Sequence, residues 1–173
     1  VNCGGSKIEL AEFFERLEKL GMGPNVASLI GHNSVRRKVM GSDNRPAKAQ
    51  EIAEMQELVD AAMRDGAVGL STGLIYVPGT YAGTDEVIAL AETAADHGGV
   101  YATHMRSENL KILEAIEEAI EVGKQARIPV EISHFKISSP RMWGRAEEIV
   151  ALVENALAEG VDVVVDQYPY EWS

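Results

Sequence analysis

Two apolar spacings alternate along the chain, one recurring at helical intervals and the other continuous over a few residues. Residues 9–20 place Leu10, Phe13, Phe14 and Leu17 on one side of a helix. Gly21 and Gly23-Pro24 stop it, and residues 26–30 follow as a buried strand ending at Gly31-His32. Pro46 opens a long helix through Arg64, with Ile52, Met55, Val59 and Met63 at helical spacing and Gly66 just past its end. Residues 67–70 form the next strand, and a Gly/Pro-rich loop runs over 72–83. Thr84 is the expected N-cap of a helix to His97, with Asp85 and Glu86 near its positive end. A strand ending at His104 precedes a helix around Leu113, Ile116 and Ile120, whose Glu114, Glu117, Glu118 and Glu121 face solvent. Residues 129–134 make a strand ending at His134, Ser138-Ser139-Pro140 leads into a helix over 145–158, and residues 161–166 are the last strand.

Five strands joined by four strand-helix-strand crossovers define an α/β chain. Continuous apolar runs, rather than strict alternation, suit strands covered on both faces and hence a parallel sheet. Five strands do not close an eight-stranded barrel, which typically takes ~250 residues. The sheet is therefore either open and doubly wound or part of a larger barrel. Candidate ligands on separate strands favour the barrel, because closure lets distant strands converge. No linker, low-complexity segment or internal repeat interrupts the chain, so residues 1–173 read as one domain.

A formal charge of −11 argues against nucleic acid or an anionic membrane as partner, since both favour clustered cations. Arg36-Arg37-Lys38, the tightest positive cluster, reads as a solvated turn. No apolar run approaches the roughly 18–20 residues that span a bilayer, and no signal-peptide pattern opens the chain. A single cysteine excludes an internal disulfide framework and points to a reducing cytoplasm. The opening Val1-Asn2-Cys3, without an initiator Met, reads as a cut end.

His104 and His134 each close a strand, and one strand-helix unit separates them. Parallel α/β units bring successive strand C-termini side by side on one face. With Cys3 they offer two imidazoles and a thiolate, a good zinc set that leaves a position open for water or substrate. Lys136, two residues beyond His134, and Tyr76 in the long loop suit a substrate carboxylate. A rival reading takes Gly69-Leu70-Ser71-Thr72-Gly73 as a nucleophile elbow, although no helix follows Ser71 as that motif requires. A third is a metal-free α/β scaffold without catalysis. His32 is expected to be structural in a turn, and His97 to sit in a last helical turn without a function. Asp166 is a ligand or base, or bonds backbone in its loop. Tyr168 and Tyr170 line a pocket wall or pack a turn.

Five strand-end motifs, in order, carry a resemblance. They are Asn2-Cys3-Gly4; Gly69-Leu70-Ser71-Thr72-Gly73-Leu74 with Tyr76; Tyr101-Ala102-Thr103-His104-Met105-Arg106; Ile132-Ser133-His134-Phe135-Lys136; and Asp166 through Tyr170. Together they resemble the N-acyl-D-amino-acid deacylases, or D-aminoacylases, of the amidohydrolase superfamily. The resemblance implies a zinc-dependent hydrolase on a TIM-like barrel, with zinc held by Cys3, His104 and His134 and a substrate carboxylate met by Tyr76 and Lys136. It also implies what is missing: the family's His-x-His pair belongs to the first strand and its catalytic aspartate to the eighth. The chain then spans about strands two to seven, with Cys3 marking the second, and is inactive by itself. Residues 4–8 are shorter than the family's connection, and Glu171-Trp172-Ser173 departs from its small polar continuation. Two unpaired sheet edges invite a homodimer. The preferred acyl group and side chain are left open.

Overall fold

The computed structural model describes residues 3–170, so that Val1, Asn2, Glu171, Trp172 and Ser173 lie outside it, together with what the sequence suggested there. Over the described residues the elements run α1 (Leu10–Leu20), β1 (Ile30–Gly31), α2 (His32–Met40), α3 (Ala49–Arg64), β2 (Gly69–Gly73), α4 (Thr84–Ala95), β3 (Val100–His104), α5 (Ile112–Ala126), β4 (Val130–Ile132), α6 (Ala146–Ala158) and β5 (Val163–Val165). No helix among them is long and apolar enough to cross a membrane.

The strands form one parallel sheet in the order β1-β2-β3-β4-β5, the order of the sequence. Each crossover thus advances one strand in the same direction. Because such crossovers are right-handed, the helices fall on one side of the sheet. Successive helices pack on each other accordingly, α2 on α3, α3 on α4, α4 on α5 and α5 on α6. A doubly wound sheet would reverse direction at a switch point, and none occurs among the described strands. The fold is a partial TIM-like (β/α) barrel.

Register defines two faces. Leu70, Tyr101, Val130 and Val163 share one row, and Thr72, Thr103, Ile132 and Val165 the next on the same face. This face meets the helices, since Val130 packs against Gly123 of α5. Thr72 Oγ1 lies 3.0 Å from the Tyr101 hydroxyl and donates to Thr103 Oγ1 at 2.8 Å, so the row's polar groups satisfy one another. Burial pushes the Tyr101 phenol up to about 12. The opposite row, Ser71, Ala102, Glu131 and Val164, faces what would be the barrel interior. Val164 at its end is 58% exposed, as expected where further strands would cover it.

Five strands stand near the expected places, but several local readings change. Residues 26–29 are not strand, and β1 is two residues long. His32 opens α2, which the sequence reading lacked, and Arg36 is buried inside it rather than solvated in a turn. The N-cap of α4 is Gly83, not Thr84, whose hydroxyl instead donates to Glu118 Oε1. Glu118 is turned inward and not to solvent, because the Arg106 guanidinium, itself donating to the carbonyls of Thr80 and Ala82, holds its carboxylate. Ser71 lies mid-strand with no exposed surface, which removes the nucleophile elbow, a motif that needs its serine exposed on a sharp turn. Cys3 and Gly4 form a turn rather than a strand.

Candidate metal centre

Three separate segments of the chain bring Cys3, His104 and His134 together at the C-terminal edge of the sheet. His104 is the last residue of β3. His134 lies two residues past β4 with φ +44°, a left-handed conformation uncommon for a side-chain-bearing residue. Its N–H donates to Asp166 Oδ1 at 2.5 Å, which fixes that turn to the residue following β5. Asp166 therefore bonds backbone, one of the two roles the sequence allowed it.

Cys3 arrives from the opposite side on an N-terminal turn, also at positive φ (+37°). That turn lies against the ends of β1 and β2 so closely that a Cβ on Gly31 would strike the Gly4 backbone and one on Gly73 the Cys3 carbonyl. Only glycine admits this approach. Gly4 O accepts the N–H groups of Asn33 (2.8 Å) and Ser34 (3.3 Å), and Ser6 Oγ accepts that of Gly31 at 2.7 Å. Cys3 is thus anchored although no regular element carries it.

The ligand atoms of Cys3, His104 and His134 all lie within 4.8 Å of one another. The two rings sit edge to face, centroids 4.4 Å apart. Burial, then the proximity of His134 and of Lys136, holds the His104 imidazole below its ordinary pKa against the opposing pull of Glu108. A neutral ring with a free lone pair is the form that binds a cation.

The two candidate substrate contacts stand beside this cluster in different states. Tyr76 packs its ring against His104, centroids 4.9 Å apart, and is half exposed. The Lys136 ammonium is not free: it lies 2.5 Å from Glu108 Oε2 and 5.4 Å from the centre of the Tyr168 ring. Tyr168 therefore lines the site wall, and its ring lies 6.3 Å from that of Tyr170. Behind His134, burial and the adjacent Asp166 push the Glu131 carboxyl up to about 7.

His32 and His97 stay outside the cluster. His32 is fully buried against Glu86 and structural, as expected. His97 lies beyond the end of α4, not in its last turn, and its Nε2 is 2.8 Å from Asp60 Oδ1 of α3. Sequence reasoning missed Glu108, although an acidic residue in the loop just after a strand-end histidine was a usable signal.

Fold and site together define a segment of a (β/α) barrel with a cysteine and two histidines clustered where its strands end. Comparison with known proteins gives the same class. No family model matches the chain. It is 40% identical over 160 residues to the D-aminoacylase of Alcaligenes xylosoxydans xylosoxydans, which covers 92% of this chain and 33% of that protein. It superposes with a TM-score of 0.89 and 42% identity on a crystal structure of a D-aminoacylase described as defining a novel subset of amidohydrolases. The N-acyl-D-glutamate deacylase of Bordetella bronchiseptica, complexed with zinc and a phosphonate mimic of the tetrahedral intermediate, gives 0.88 at 35% identity. Each superposition covers 93% of this chain and 34% of the other. The chain is thus homologous to D-aminoacylase and N-acyl-D-glutamate deacylase, and it spans about a third of the length of the relatives it matches.

Proposed function

We propose that the chain is a segment of a zinc-dependent enzyme that hydrolyses N-acyl-D-amino acids to a D-amino acid and a carboxylate. The observation that carries this reading is the approach of Cys3, His104 and His134 ligand atoms to within 4.8 Å. The donor set suits zinc, with three protein ligands and one position left over. Positive φ at both Cys3 and His134 supports it, because strained backbone persists where the surroundings over-determine it, and such places cluster at functional sites. The zinc and phosphonate of the Bordetella relative support the same assignment.

Zinc bound there would polarise an acyl carbonyl and activate water. The chain's own residues supply the surroundings. Asp166 fixes the backbone of the turn that presents His134. Tyr76 shields one side of His104 and, with Lys136, offers a hydroxyl and a cation to the carboxylate of an acyl amino acid. The catalytic base belongs, on this reading, to a part of the barrel that this chain does not contain, so the chain alone is inactive. We read residues 1–173 as one piece of the catalytic domain, working in a reducing cytoplasm that keeps Cys3 reduced and free to bind metal.

Cobalt(II) tests the ligand set. The wild-type chain should develop visible bands with a thiolate-to-metal charge-transfer band in the near ultraviolet. Cys3→Ser should lose the charge-transfer band. An identical spectrum from Cys3→Ser would remove the cysteine from the site.

The edges of the sheet at β1 and β5 lack partners among the described strands. Exposed edges template pairing with another chain, so the chain should run as a homodimer in size-exclusion chromatography with light scattering. A stable monomer would contradict this.

A further inference from the structure

We propose that Asn33 is a positioning residue that couples the two sides of the site, seating the turn that carries Cys3 and the turn that carries Tyr76 against one buried amide. The inference rests on the metal reading of Cys3, His104 and His134. Asn33 is the second residue of α2 and only 7% exposed. Its backbone N–H donates to the carbonyl of Gly4, the residue after Cys3, at 2.8 Å. Its side-chain Nδ2 donates to the carbonyls of Gly73 at 3.2 Å and Tyr76 at 3.4 Å. Those carbonyls are the two ends of the turn that leaves β2, itself closed by the Tyr76 N–H on the Gly73 carbonyl at 3.0 Å. One turn along α2, Arg37 donates to the next carbonyl, that of Val77, at 3.0 Å.

The two carbonyls fix the orientation of the amide, because a flipped amide would set oxygen against oxygen. Oδ1 is thereby turned between Gly4 and Gly79, where a Cβ on either glycine would lie 2.4 or 2.6 Å from it. No donor among the described residues reaches it. A buried acceptor without a donor is costly, so an amide is not the side chain that packing alone would favour here. What it gains is the clamp on Gly73 and Tyr76. Gly73 in turn abuts the Cys3 carbonyl, which a Cβ at Gly73 would approach to 2.2 Å. The Cys3 turn is therefore wedged between Gly73 and Asn33. The Tyr76 ring, centred 4.9 Å from that of His104, leaves the same clamp. Removing the Asn33 side chain frees both at once.

Two readouts on the full chain test this. One is the contact between the Tyr76 and His104 rings, from nuclear Overhauser effects in metal-free protein; the other is cobalt(II) affinity with its thiolate charge-transfer band. Asn33→Ala should lose the ring contact and bind cobalt about 10–100-fold more weakly, with a reduced band. A merely structural loss would lower stability yet leave both readouts unchanged in the folded protein. Gly79→Ala adds a methyl whose nearest neighbour is Asn33 Oδ1. It should weaken both readouts in the same direction, and it decides the matter if Asn33→Ala does not fold. Folded variants with wild-type contact and band, or loss of one readout without the other, would overturn the role of Asn33 while leaving the metal site standing. A wild-type chain that binds no cobalt would overturn the metal reading and this inference with it.

Discussion

Arg36→Met is expected to destabilise the chain by about 3–5 kcal/mol, the loss typical of breaking a buried ion pair from one side. Arg36 and Glu86 are almost wholly buried and ion-paired, joining α2 to the first turn of α4. The other Glu86 oxygen lies 2.8 Å from His32 Nε2, and the Arg36 guanidinium also donates to the Arg45 carbonyl at 2.6 Å. Arg45 in turn pairs with Glu51 in the first turn of α3. Removing the guanidinium leaves a buried carboxylate with one partner and a carbonyl with none. Against a typical stability of about 5–15 kcal/mol this is a large fraction. Lys38→Met, two residues on, should change stability by under about 1 kcal/mol, because its pairing with Glu9 is exposed on both sides. Urea unfolding of the two variants beside wild type makes the comparison, and equal losses would contradict it.

The same cluster sets an acid limit. Burial alone would raise the Glu86 carboxyl, but hydrogen bonds from His32 and Arg36 outweigh it and hold the group below its ordinary value of 4.5. A depressed carboxylate contributes stability above its unfolded pKa and loses it as pH falls through the folded value. Wild type should therefore lose stability on acidification below about pH 4.5 more steeply than Glu86→Gln. Parallel curves would remove Glu86 as the cause.

The second large effect is on metal. His104→Ala should abolish stoichiometric zinc while leaving circular dichroism close to wild type. His104 ends a strand whose buried neighbours, Tyr101 and Thr103, lie on the helix-facing side, so the imidazole is not what packs the core. Two remaining ligands hold zinc far more weakly than three. His32→Ala is the contrasting variant: it should lose stability through Glu86 and keep its zinc. Zinc retained by His104→Ala, or lost equally by both, would remove His104 as a ligand.

The elements that the sequence made legible are those built from apolar runs. β3 opens on an apolar run, β4 is two branched apolar residues about Glu131 and β5 is three valines, while α3, α5 and α6 carry apolar residues at helical spacing. His104 and His134 were visible for the same reason, since each follows such a run. α2 was not, because His32, Asn33 and Arg36 occupy its buried side. Polar residues read as surface until their partner is known, and Glu86 lies 50 residues beyond Arg36. Glu108 escaped for a similar reason: its three partners, His134, Lys136 and Ser138, come from beyond the next helix. The turn that anchors Cys3 depends on the close approach of Gly31 and Gly73, which no local pattern records.

Zinc per chain, by elemental analysis of protein purified without chelator or added metal, tests the central claim most directly. Convergence of Cys3, His104 and His134 within 4.8 Å predicts about one zinc per chain, lost on substituting any of the three. Protein that is folded, retains its reduced cysteine and still carries no zinc would contradict the account.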